Sequence, residues 1–204
     1  VNDGGHMIVA YGTAISTTIC SNGGMTLNGN YDGIYYEPFA NAIATTVYAG
    51  GWMRVVSDGT ANSTTINSGG HIHVYSSGSA TNTTVKTGGA INGFIVRKDT
   101  YYDSGVHVSN TYVNSNAVLY NGQTATDTIV YSGGCMYVNR GSATNTTVKA
   151  GGAINGFTLQ TDTFYLEQIH IYNAIVTGDA NLYSGQTATN TTVNSGGSLS
   201  LIHI

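Results

Sequence analysis

Gly78-Ser79-Ala80-Thr81-Asn82-Thr83-Thr84-Val85-Lys86-Thr87-Gly88-Gly89-Ala90-Ile91-Asn92-Gly93-Phe94 is one period of a pattern that runs the length of the chain. Its Thr- and β-branched-rich half, Ala80 to Val85, favours strand. Lys86 to Gly89 turns the chain, because glycine takes the positive φ of a tight corner without strain. Ala90 to Phe94 then alternates apolar and polar residues, as a half-buried strand does.

Working outward, the position of Val85 is matched at Val1, Ile19, Val47, Ile66, Val113, Val130, Val148, Val176 and Val193, in most cases just ahead of a glycine-containing pair. Neighbouring members lie 17 to 19 residues apart, except for three intervals of 28: Ile19 to Val47, Val85 to Val113 and Val148 to Val176. Units of this size cannot each bury an apolar face, so they must stack. The pattern predicts an all-β, right-handed parallel β-helix (a β-solenoid) of about ten rungs, with a longer rung every third turn. It predicts a single domain over residues 1–204, cut from a longer protein.

Stacking makes columns. Met7, Met25, Met53, Ile72, Ile91, Leu119, Met136, Ile154, Leu182 and Leu199 form one apolar column, expected to point inward. A second holds small residues, among them Ala14, Ala42, Ala61 and Ala80, and suggests a cramped corner. A third, Ser16, Ala44, Ser63, Asn82, Asn110, Asp127, Asn145, Asn173 and Asn190, places amides where they can hydrogen-bond up and down the stack. The sequons at Asn62, Asn82, Asn145 and Asn190 read as by-products of this Asn/Thr corner.

Composition narrows the function. Only 8% of the 204 residues are charged, against roughly 25% in ordinary proteins. The net charge of −4 and six scattered Lys and Arg leave no basic footprint for nucleic acid. No apolar run is long enough to cross a membrane. Cys20 and Cys135 fall in different rungs and are expected to be free thiols.

The segments Gly59 to Gly70, Gly78 to Gly89 and Gly185 to Gly197 resemble the passenger repeats of AIDA-type autotransporter adhesins, a family of self-associating bacterial surface antigens. The resemblance covers essentially the whole chain. It implies a secreted β-helix displayed on the bacterial outer membrane, without enzymatic activity or cofactor. It implies a role in autoaggregation, biofilm formation or host adhesion. The implied partners are identical rods side by side, or glycans or proteins of host and bacterial surfaces. Some relatives carry sugars on Ser or Thr. The family's C-terminal translocator barrel is not among these 204 residues.

The three long rungs hold the candidate contact patch: Asp32, Tyr35, Tyr36 and Glu37; Asp99, Tyr101, Tyr102 and Asp103; Asp162, Phe164, Tyr165 and Glu167. Tyrosine offers large contact area with a polar tip and is favoured at interfaces. The competing reading packs these aromatics against a flank of the helix as a satellite core. Two acids per insertion are too few for calcium, which takes six or more oxygens.

Other chemistries fare worse. Paired carboxylates recur in every insertion, whereas an active site normally occurs once, so the chain is read as no enzyme. A nucleophile elbow is absent from the sequence. His71 and His73 flank Ile72 and should both face outward; their neighbours in adjoining rungs, Trp52, Arg54, Ala90 and Asn92, supply no third metal ligand. The pair reads as solvated surface. An ice-binding threonine array is broken at Tyr112, Ile129 and Ile175.

Overall fold

A computed structural model describes residues 1–29, 40–75, 77–102, 106–165 and 169–201. All regular structure among them is strand, in pieces of two to five residues. Contacts divide the chain into two compact units, Val1–His107 and Val108–Ile204, each a β-solenoid.

In the first unit three parallel sheets surround the core. One aligns Ala14, Ala42, Ala61 and Ala80. The next aligns Ile19, Val47, Ile66 and Val85. The third aligns Met7, Met25, Met53, Ile72 and Ile91. Apart from the first turn, these residues are almost wholly buried, so the expected columns are the core. Each Val, Ile or Met so covered is worth about 1.5–3 kcal/mol of transfer free energy.

Two corners shape each turn. Every described member of the Ser16-to-Asn190 column has positive φ, between 48° and 56°. Asn and Asp tolerate that left-handed conformation best, which explains their enrichment there better than amide ladders alone. Backbone bonds such as Ser63 N–H to Thr81 O (3.1 Å) tie these corners together. Amide links exist as well, from Asn145 Nδ2 to Asp127 Oδ1 and from Asn82 Nδ2 to Asn62 Oδ1, both 3.1 Å. At the other corner Gly88 sits at φ +80°, and a Cβ on Gly89 would press against the Ile66 carbonyl at 3.0 Å.

One buried column was not anticipated: Thr45, Thr64 and Thr83 in the first unit and Thr111, Thr128 and Thr146 in the second. Thr111 and Thr128 share a hydroxyl hydrogen bond of 3.0 Å, whereas the hydroxyls of Thr45, Thr64 and Thr146 have no partner among the described residues.

The long rungs depart from uniform parallel winding. Residues 90–94, expected as one strand, are two: Ala90–Ile91 and Phe94–Val96 pair antiparallel around Asn92 (φ 51°) and Gly93 (φ 83°). Two successive positive φ values define a type I′ hairpin, for which Asn-Gly is the preferred pair. The chain then retraces its path, with Thr100–Tyr102 antiparallel to Thr83–Val85. The second unit repeats this with Asn155 (φ 49°) and Gly156 (φ 85°), and with Thr163–Tyr165 antiparallel to Thr146–Val148. There Phe157–Leu159 also pairs antiparallel with Ala174–Val176, so Val176 continues the sheet of Ile154 rather than that of Val148. The earliest long rung is different. Gly24–Asn28 and Asn41–Ile43, on either side of residues 30–39, both pair parallel with the turns before and after them.

The column count also needs one correction. Met136 aligns with Ala117, not Leu119, and Leu199 aligns with Ala180, not Leu182. The corners after Val113 and Val176 lack the glycine pair and are two residues shorter. A shift of two keeps side chains on the same face of a strand, so Leu119 and Leu182 still point inward.

Candidate binding surface

The returning strands carry the described part of the sequence-derived patch. Strand alternation splits each aromatic pair. Tyr102 and Tyr165 face in and are 2% exposed, while Tyr101 and Phe164 face out and are 59% exposed. The inward hydroxyls have no hydrogen-bond partner among the described residues, and burial pushes both well above the ordinary tyrosine range.

Asp99 and Asp162 anchor these strands. Asp99 Oδ1 accepts the Thr87 N–H at 2.7 Å, and its Oδ2 meets Lys86 Nζ at 3.2 Å. Asp162 Oδ1 accepts the Ala150 N–H at 2.8 Å, and its Oδ2 meets Lys149 Nζ at 2.8 Å. The Thr87 N–H, then Lys86, hold the Asp99 carboxyl below the usual range. Lys149, then the Ala150 N–H, do the same for Asp162. These acids therefore fasten the strand rather than project from it. Asp32, Tyr35, Tyr36, Glu37, Asp103 and Glu167 lie outside the described residues.

Outside the barrel wall, Thr18, Thr46, Thr65 and Thr84 align in register, and Tyr101 ends the ladder opposite Thr84. The Tyr101 hydroxyl donates to Asn82 Oδ1. Phe164 occupies the matching place in the second unit, opposite Thr147. Each unit thus carries an exposed ring at the end of a ladder, Tyr101 after four threonines in the first and Phe164 after Tyr112, Ile129 and Thr147 in the second.

His71 and His73 face outward beside Trp52, Arg54 and Ala90, the register read from the numbering. No group of three or more His, Cys, Asp or Glu able to hold a metal gathers among the described residues. Cys20 and Cys135 are free. No helix among the described residues is long and apolar enough to cross a membrane.

Residues 40–89 match the family described as "Adhesin of bacterial autotransporter system, probable stalk", so the resemblance to AIDA-type passenger repeats is borne out over that segment. Among solved structures, a TibC-catalysed hyper-glycosylated TibA fragment is 25% identical over 98% of this chain and 72% of its own, with a TM-score of 0.45. Comparison with curated proteins gives no match.

Proposed function

We propose that the chain is a stalk segment of a secreted, non-enzymatic adhesin displayed on the bacterial outer membrane, and that identical stalks on neighbouring cells contact one another side by side. The observation that carries this reading is the exposure of Tyr101 and Phe164 at corresponding places in the two units, on strands fastened by corresponding Asp–Lys pairs. Rings at interfaces supply contact area at low entropic cost. Many weak contacts along a stalk add through multivalency. The described acids of the patch support the strands, and the residues near 32–37, 103 and 167 are proposed to extend the same surface.

Cells displaying the chain are expected to aggregate and settle. Tyr101→Ser combined with Phe164→Ser should abolish settling while leaving the melting temperature unchanged. Undiminished settling by that variant would sink the proposal. Capture of surface glycans by the same rings is the second reading; retention on a glycan array, lost in the double variant, would favour it.

A further inference from the structure

A different face of the first unit holds a groove of about 460 Å³ lined by Trp52, Met53, Arg54, His71, His73 and Tyr75. That volume lies within the roughly 300–1,000 Å³ of small-ligand sites. The register builds it. His6, Gly24, Trp52, His71 and Ala90 succeed one another along one outward column, and Thr26, Arg54 and His73 along the next. Gly24 is essential to the arrangement: a Cβ there would overlap the Trp52 indole at 2.2 Å. The indole therefore lies down over Gly24, towards His6, whose ring centroid is 4.9 Å away. Leaning that way, it leaves open the space in front of His71.

The groove is walled by rings and carries one permanent charge. Arg54 stacks over the Trp52 ring, 5.4 Å from its centroid. A stacked guanidinium keeps its in-plane N–H donors free, in a fork that matches a carboxylate. Arg54 makes no ion pair among the described residues, where the ion pairs are Lys86–Asp99 and Lys149–Asp162. The rings of His73 and Tyr75 pack at 4.5 Å, tilted by 42°. The strands on either side, Gly24–Asn28 and Ala90–Ile91, bring no acid to the groove. Among the described residues, the charged group that acts on both histidines is Arg54, His71 acts on His73, and the Tyr75 ring packs on His73.

We infer that this groove binds a carboxylate-bearing saccharide, with Arg54 clasping the carboxylate, Trp52 and Tyr75 bordering the sugar ring, and His71 and His73 meeting its hydroxyls. A single arginine in the groove of a chain of net charge −4 suits one sugar carboxylate rather than a polyphosphate backbone. Burial, then Arg54, holds both histidines below their ordinary value, so they are largely neutral at pH 7. An arriving anion favours their protonated forms. Binding should therefore tighten as pH falls below about 6.5, the ordinary histidine value, while the sugar carboxylate stays ionised. This site lies on different residues from the self-association surface and does not depend on that reading.

The test is calorimetric titration of the full chain with trigalacturonate and with its methyl ester, which keeps the rings and removes the charge. The acid is expected to bind, and the ester about tenfold or more weakly, the loss of a charge-assisted pair. Arg54→Gln should reduce the acid to the ester's affinity, and Trp52→Ala should abolish binding of both, each with unchanged melting. Equal affinity for acid and ester, no binding of either, or parental affinity in Arg54→Gln would each overturn the inference. If titration fails while displaying cells still aggregate, only this inference falls.

Discussion

His71-Ile72-His73-Val74 and Ala90-Ile91-Asn92-Gly93 occupy consecutive turns of one sheet and share their inward isoleucine. The first runs on to the next turn in the same direction; the second doubles back. The difference is a dipeptide. Met136-Tyr137-Val138 and Ile154-Asn155-Gly156 make the same contrast in the second unit. Direction in this solenoid is decided by two residues at the end of a strand whose core-facing part is unchanged.

The comparison also shows how the fold tolerates a reversal. A strand that stops short leaves the backbone of the turn below without ladder partners, and an unpaired buried N–H or C=O is costly. Asn92 substitutes its side chain for the missing strand. Its Oδ1 accepts the Val74 N–H at 2.7 Å, and its Nδ2 donates to the Val74 carbonyl at 3.1 Å. Asn155 Oδ1 accepts the Val138 N–H at 2.8 Å, while its Nδ2 donates to Gln186 Oε1 at 2.9 Å. Both asparagines are buried. The same residue therefore makes the turn and seals the edge the turn exposes.

The largest expected effect falls on what the two kinds of turn share. Ile72→Asp places a charge in a column flanked by Met53 and Ile91 and should cost about 4 kcal/mol or more, enough to unfold the first unit. A melting curve like the parent's would mean that Ile72 does not face the core.

Next is the reversal itself. Gly156→Ala combines a φ of +85° with a Cβ 2.2 Å from the Asp179 carbonyl, and should cost about 2–4 kcal/mol in denaturant unfolding. Gly178→Ala, with open space around it, should stay within about 0.5 kcal/mol. Equal effects would show that the hairpin does not set the chain's course.

Asn92→Ala should cost about 2 kcal/mol by removing the side-chain hydrogen bonds to the Val74 N–H and carbonyl. Hydrogen exchange at the Val74 amide should accelerate; if protection is unchanged, the side chain does not stand in for a strand.

The buried threonines offer a smaller contrast with opposite signs. Thr64→Val removes an unpartnered hydroxyl and should be neutral or stabilising by about 1 kcal/mol. Thr111→Val breaks a bond to Thr128 and should destabilise by a similar amount. Chemical denaturation of the two variants decides it.

The smallest effect concerns the fastening acids, whose side chains are about half exposed and therefore screened by water. Their folded pKa values are lowered, so their contribution is fully present above the unfolded value near pH 4 and is lost as pH falls through the folded one. A slight drop in melting temperature below pH 4 should disappear in Asp99→Asn with Asp162→Asn. A drop that persists in the double variant would assign it to other carboxylates.

Much of the site was legible in the residues, though not all of its meaning. Tyr101 and Phe164 stood out as aromatics, but only the pairing with Thr84 and Thr147 shows which ring of each pair faces out. The Asn-Gly signals at 92 and 155 were present in the sequence. They passed as ordinary strand because the apolar alternation from Ala90 to Phe94 continues straight across the hairpin. Gly24 gave no local sign of its role, since its partner, the Trp52 indole, comes from the next turn.

By itself the sequence determined that the chain coils, which apolar residues face its core, and where its Asn-rich corners fall. Those features follow from local propensity and from a period that forces like residues into contact. Tertiary structure decided the direction of winding at each long rung, the two-residue slip that moves Ala117 and Ala180 into the core column, and the gathering of Trp52, Arg54 and His73 around one groove. A reversal or an even slip leaves the inward–outward alternation of side chains intact, so the pattern of apolar residues carries no trace of it.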